Sequence, residues 1–249
     1  MTVSNEDELT KLQEIGRIVA NTLEAMAAAL EPGMTTAELD LIGRKLLEKE
    51  GARSGPELVY DFPGATCISV NEEIAHGIPG ARRIEAGDLV NIDISAEKNG
   101  LFADTGASFA VPPITNATKR LCRDGRRAMW VGLRQVGADK PIAGIGQAIG
   151  QFAQKNGYTL VRNLASHGIG YSLHEEPGEI ATWPDRSERR IMNEGLVFTV
   201  EPFLSLGATL ATDSDDEWTL LSDPRAPTVQ YEHTVVATRN GPLVITLPG

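Results

Sequence analysis

Cysteine is nearly absent from this chain: of 249 residues only Cys67 and Cys122 carry a thiol. Two cysteines cannot build a disulfide-stapled framework, and their spacing is not that of a zinc ribbon, so a reducing cytoplasm is the expected compartment. Aromatic side chains are scarce at 5%, which argues against a base-stacking platform for nucleic acid. Positive charge is in deficit, with 23 Lys and Arg against 34 Asp and Glu and a net charge of −11. A nucleic-acid or anionic-membrane partner is therefore not expected, because clustered Lys and Arg bind such surfaces. No apolar run reaches the ~18 residues needed to span a bilayer. The acidic start Met1-Thr2-Val3-Ser4-Asn5-Glu6-Asp7-Glu8 lacks the basic flank and apolar stretch of a secretory signal. What remains, 41% apolar and 23% charged residues, describes a globular chain with a sizeable core.

Residues 1–50 predict two helices. Leu9, Leu12, Ile15, Ile18, Val19 and Leu23 recur at helical spacing until Glu31-Pro32-Gly33 stops them. Thr35-Thr36-Ala37-Glu38 has the spacing of a capping box, Leu39, Ile42, Leu46 and Leu47 form a buried stripe, and Gly51 ends it. From 52 to 111 the period becomes that of strands. Thr66–Val70 reads as a short strand, and Asp88–Ser95 sets Val90, Ile92 and Ile94 on one face with Asn91, Asp93 and Ser95 on the other. Asn99-Gly100 is a hairpin turn and Leu101–Val111 the returning strand.

The pattern then recurs. A helix is predicted over 117–136 despite Gly125 and Gly132, Pro141 breaks it, and Ile145, Ile149 and Phe152 lead to Gly157 as Leu39, Ile42 and Leu46 led to Gly51. Gly51 and Gly157 are 106 positions apart, and Gly87 and Gly195, each ahead of an apolar strand, are 108 apart. The matching offsets predict an internal duplication with halves of about 1–112 and 113–249 sharing one domain over 1–249. Chance recurrence of helix, helix and strands is the competing explanation.

All four histidines, His76, His167, His174 and His233, fall in or beside strand-rich segments. Asp93 and Asp104 lie eleven residues apart around the Lys98–Gly100 turn, a separation that lets both side chains share one face of the ribbon. Adjacent carboxylates repel unless a cation or a shared proton lies between them. Two further acids stand in apolar strands, Glu201 in Val197-Phe198-Thr199-Val200-Glu201-Pro202 and Glu232 in a strand over Gln230–Val236. Acids are rarely buried unless paired or metal-bound. With His167 in Ser166-His167-Gly168, the set Asp93, Asp104, His167, Glu201 and Glu232 suits two divalent ions sharing bridging carboxylates. Its hard oxygen donors favour Mn, Fe(II) or Co, with Zn still allowed. His76 and His174 stand beside Gly-rich loops, where they suit substrate contact, and His233 points to the opposite strand face as a structural residue.

The ordered motifs Val70-Asn71-Glu72-Glu73-Ile74-Ala75-His76-Gly77-Ile78-Pro79, Val90-Asn91-Ile92-Asp93, Ala103-Asp104-Thr105, Ser166-His167-Gly168-Ile169-Gly170, His174-Glu175-Glu176-Pro177, Phe198-Thr199-Val200-Glu201-Pro202 and Gln230-Tyr231-Glu232-His233-Thr234 resemble the type I methionine aminopeptidases along essentially the whole chain. The resemblance implies an α+β pita-bread fold, two pseudo-symmetric helix-helix-strand halves around a central antiparallel sheet with a dinuclear metal site. It implies that Asp93 holds one metal, that Asp104 and Glu232 bridge both, and that His167 and Glu201 complete the other. It further implies that Glu201 transfers the proton while His76 and His174 contact the substrate and stabilise the tetrahedral intermediate. The implied methionine pocket includes Phe62, Cys67, His76, Leu173, His174 and Trp218.

The pocket departs from the family pattern, with Phe62 where a Tyr is common, Val59 where another Tyr aligns, and Leu173 in place of a Phe. Ser166 replaces a Gly ahead of the metal-binding His. An apolar pocket discriminates by only ~1–3 kcal/mol per methylene, so these changes bear on first-residue selectivity more than on chemistry. The implied activity is removal of N-terminal Met from nascent chains and peptides with a small second residue, by a cytoplasmic monomer in transient contact with the ribosome, although no basic arm marks that contact. Two alternatives stand beside it: a pita-bread peptidase with shifted specificity, including Xaa-Pro substrates, and a non-catalytic pita-bread binding protein.

Overall fold

The chain opens with α1 (Glu6–Ala29) and α2 (Thr36–Lys49), each started by a side-chain cap. Asn5 accepts from the Glu8 amide, and in the predicted capping box Thr35 accepts from the Glu38 amide while Glu38 accepts from that of Thr35. Next come β1 (Arg53–Ser54), α3 (Gly55–Tyr60), β2 (Cys67–Val70), β3 (Glu73–Ala75) and the hairpin β4 (Leu89–Lys98) and β5 (Leu101–Ala110). The second half of the computed structural model, which describes residues 1–249 throughout, begins with another helical pair, α4 (Asn116–Leu133) and α5 (Ala143–Asn156). It continues through β6 (Thr159–Leu160), β7 (Ser166–Gly168), β8 (Glu175–Ile180), β9 (Val197–Val200), β10 (Phe203–Ser205), β11 (Leu210–Asp213), β12 (Leu220–Asp223), β13 (Thr228–Gln230), β14 (His233–Thr238) and β15 (Gly241–Val244).

Strand β4 is the spine of the first half, pairing antiparallel with β1, β2 and β5. The second half's main sheet runs β15-β14-β9-β7-β8. Each sheet buries one face under its own helices: Leu12, Ile15 and Leu39 of α1 and α2 pack with Ile92 and Ile94, and Leu121, Leu133 and Ile149 of α4 and α5 pack with Phe198 and Val235. The halves are stitched where β5 meets residues 231–234. Ala107 bridges Tyr231, the Glu232 amide donates to the Gly106 carbonyl, and Thr234 exchanges hydrogen bonds with the backbone of Asp104.

The structure departs from the sequence expectations locally. The strand expected over Gln230–Val236 is broken at Tyr231 and Glu232, because there the backbone turns from pairing with β10 to meeting β5. The helix expected to reach Val136 ends at Leu133, and 55–60, given no element of its own from sequence, forms α3. The glycines inside α4 have packing reasons: a Cβ on Gly125 would lie 2.4 Å from Val229 Cγ2, and one on Gly132 would lie 2.7 Å from Ile149 Cδ1. Gly51 and Gly157, which end α2 and α5, both have positive φ, +69° and +77°, as do Gly87 and Gly195 ahead of β4 and β9, +94° and +84°.

Candidate active site

The hairpin brings the first two acids together. Asp93 pairs with Gly106 and Asp104 with Ser95, so the two carboxylates are diagonal neighbours on one face, while Ile92 and Ile94 face the core. The break after β13 delivers Glu232 to the same spot, where the Gln230 side-chain Nε2 donates to its Oε2 at 3.0 Å. Glu201 follows β9 directly. Thr199, two residues back on the same strand face, donates to Glu201 Oε1 at 2.8 Å and accepts from the His167 amide at 3.1 Å. Ser166, the residue that replaces a Gly, uses its hydroxyl to accept from the Glu201 amide at 3.0 Å.

His167 completes the cluster from β7. Its Nδ1 lies 3.0 Å from the Gly168 carbonyl, which can only accept, so Nδ1 carries the proton and the Nε2 lone pair faces the carboxylates, free for a cation. Nε2 lies 3.6 Å from Glu201 Oε1 and 4.0 Å from Asp104 Oδ2. Burial, then the neighbouring His174, pushes the His167 pKa down to about 3, which keeps the imidazole neutral as metal binding requires.

The carboxylates shift the opposite way. Burial raises Asp93, and burial followed by the mutual repulsion of neighbouring carboxylates holds Asp104, Glu201 and Glu232 well above their usual range. Asp104 Oδ1 and Glu232 Oε1 are buried with no hydrogen-bond partner. Ligand atoms of Asp104, His167 and Glu232 all lie within 4.8 Å of one another. Orphaned carboxylate oxygens converging on an imidazole lone pair fit a divalent cation, which would satisfy the oxygens and cancel the repulsion.

These residues form the floor of a cleft of about 870 Å³, and every site residue expected from sequence lines it: Asp93, Asp104, His167, Glu201 and Glu232, with His76, His174, Phe62, Cys67, Leu173 and Trp218. Cys67 sits opposite Asp93 across β2 and β4, its thiol pKa pushed up by burial and by that carboxylate. Phe62 meets Trp218 edge to face at 5.2 Å. A tight turn presents Trp218, with Asp216 accepting from the amides of Trp218 and Thr219. His76, just past β3, has a positive φ of +53°, a backbone state that non-glycine residues adopt at some cost. Burial lowers its pKa, and that of His174 is lowered by burial and then by His76. His233 turns away as expected, pairing through Nδ1 with the Thr246 hydroxyl at 2.9 Å.

One assignment is corrected. Val59 is exposed and does not line the cleft; its neighbour Tyr60 does, with its phenol oxygen 2.7 Å from His174 Nδ1. On a helix one position turns a side chain by about 100°, so Tyr60 faces the cleft where Val59 does not. The sequence signal for that helix is present in Ser54-Gly55-Pro56-Glu57, an N-cap serine with a proline in the first turn and a glutamate three residues on. Thr199 and Gln230, which position Glu201 and Glu232, are betrayed in sequence only by standing two residues before the acids they hold.

The model of metallopeptidase family M24 matches residues 10–239, and the chain belongs to that family. Within it, the chain is similar to a protein named methionine aminopeptidase 2 from Bacillus subtilis, 44% identical over 99% of both chains. The crystal structure of a methionine aminopeptidase from Rickettsia prowazekii superposes with a TM-score of 0.94 at 31% identity, covering 99% of this chain and all of that one. The resemblance to type I methionine aminopeptidases thus holds over the full length, and with it the pita-bread fold. A prolidase from Pyrococcus furiosus shares the fold, with a TM-score of 0.80 at 20% identity, and this chain covers 66% of it.

Proposed function

We propose that the protein is a divalent-metal-dependent aminopeptidase that removes the N-terminal methionine from peptides and nascent chains whose second residue is small. The observation that carries this reading is the buried cluster of Asp104, His167 and Glu232, with two orphaned carboxylate oxygens, at the base of an apolar cleft. Asp93, Asp104, His167, Glu201 and Glu232 would hold two divalent ions, and their oxygen-rich set favours Mn, Fe(II) or Co, with Zn allowed. Bound there, a divalent ion supplies Lewis-acid polarisation of the scissile carbonyl and lowers the pKa of the attacking water.

The chain's own residues do the rest. Tyr60, Phe62, Cys67, Leu173 and Trp218 wall an apolar pocket for the methionine side chain. His76 and His174 donate to the substrate where negative charge develops on the carbonyl oxygen. Glu201, which lines the cleft at the end of β9, takes the proton from water and passes it to the leaving amine. The chain acts as one catalytic domain over 1–249 built from related halves, a reading supported by the matched positive-φ glycines. It works as a cytoplasmic monomer with transient ribosome contact. No helix is long and apolar enough to cross a membrane.

The test is release of methionine from Met-Ala-Ser by metal-loaded protein, abolished in Asp104→Ala, with Xaa-Pro and Leu-Ala peptides as competitors. Absence of turnover with every divalent ion tried overturns the reading, and faster cleavage of Xaa-Pro or Leu-Ala reassigns the substrate.

A further inference from the structure

Tyr60 and His174 stand on opposite walls of the cleft, 114 positions apart in sequence, with the phenol oxygen 2.7 Å from Nδ1 and the ring centroids 5.6 Å apart. The contact is built from both sides. Ser54 caps α3 by accepting from the Glu57 amide, and Arg44 on α2 holds the Glu57 carboxylate through two guanidinium nitrogens, so the helix that carries Tyr60 is tied to the helix behind it. Across the cleft, the His174 ring lies 4.0 Å from the ring of His167, and Leu173 beside it is buried.

The direction of the bond follows from chemistry. A phenol keeps its proton at neutral pH, and an imidazole nitrogen is a better acceptor than a phenol oxygen, so the O–H donates and Nδ1 accepts. An imidazole whose Nδ1 accepts carries its one proton on Nε2. His174 Nε2 is then a fixed N–H donor rather than a ring divided between two tautomers, only one of which is able to donate from that atom. We propose that Tyr60 is a positioning residue for the peptide-cleavage step, holding His174 in its Nε2–H form across the cleft so that the ring presents a donor to the substrate. This rests on the aminopeptidase reading and adds to it a residue that touches the reaction through His174.

The test has two arms. In zinc-loaded protein with ¹⁵N-labelled histidine, where His174→Gln identifies the signals, His174 is expected to show an unprotonated Nδ1 and a protonated Nε2. In Tyr60→Phe, which keeps the ring and the apolar wall, both signals move towards averaged positions. A wild-type Nδ1–H signal, or an unchanged pattern in Tyr60→Phe, overturns the proposal. In the second arm kcat for Met-Ala-Ser falls about tenfold in Tyr60→Phe, a fraction of what a general-acid donor contributes, while KM and metal content stay within about twofold. An unchanged kcat, or a loss confined to KM, also overturns it. If wild-type protein fails to cleave Met-Ala-Ser the functional reading falls, and the tautomer arm still decides whether Tyr60 orients His174.

Discussion

Asp104 separates what the fold wants from what the site needs. Buried among three other carboxylates, with one oxygen unpartnered, it is a liability to the metal-free chain at neutral pH. Asp104→Asn keeps the shape while removing a group that must either hold a proton or carry a buried charge. The metal-free variant is expected to melt above metal-free wild type at pH 8, by ~2–4 °C for each kcal/mol of repulsion relieved. The same variant should lose metal-dependent turnover by ~10²-fold or more. Thermal melts in chelator beside steady-state assays read both, and a lower melting temperature in the variant would contradict the origin assigned to the repulsion. Thr199 makes a quieter case, since its hydroxyl fixes Glu201 and anchors the His167 backbone without being a ligand. Thr199→Val keeps the β-branched shape, and a ~10–100-fold loss of metal affinity or activity is expected, the usual effect of removing a group that orients a ligand. Titration with Mn²⁺ checks it.

At the scale of elements, helix α4 sets the position of the strand that leads into Glu232. Its Gly125 lies against Val229 and Tyr231, so Gly125→Ala pushes the helix off β13 at an expected ~1–3 kcal/mol. Because Tyr231 and Glu232 are consecutive, metal affinity should fall with stability. Calorimetry paired with metal titration tests the link, and a destabilised variant with unaltered affinity would show that α4 supports the fold alone. This coupling also marks what was legible in the sequence. Helices α1 and α2, the Thr35–Glu38 capping box and the β4–β5 hairpin are written locally, in spacing and turn residues, and they form as read. The acids and histidines of the cleft were legible because carboxylates inside apolar strands demand an explanation. The break at Glu232 was not, since contact with Gly106 across the sheet junction imposes it. Tyr60 was hidden in a helix too short to show a period.

For the whole molecule, pH couples charge to stability through two opposed groups of buried side chains. His76, His167, His174 and His233 all have pKa values lowered first by burial. Below about pH 6.5 the unfolded chain takes up protons that the folded one refuses, so stability is lost as pH falls through that window. The buried carboxylates act with the other sign. Asp104, Glu201 and Glu232 keep protons in the metal-free fold well above the range in which the unfolded chain releases them, near pH 4, so the folded state binds more protons and stability falls as pH rises. Above about pH 7 the histidine contribution is spent and the carboxylates decide the slope. The melting temperature of chelator-treated protein is therefore expected to fall between pH 7 and 8. A divalent ion replaces those protons as counter-charge and binds better as they leave, so protein in excess Mn²⁺ should show little or no fall and a gap from the metal-free curve that widens with pH. At 100 times its Kd the ion adds ~2.7 kcal/mol, enough to measure. A metal-free melting temperature that stays level or rises from pH 7 to 8 would show that the cluster does not hold its protons in the folded state, and the cation would then be recruited by geometry without relief of buried charge.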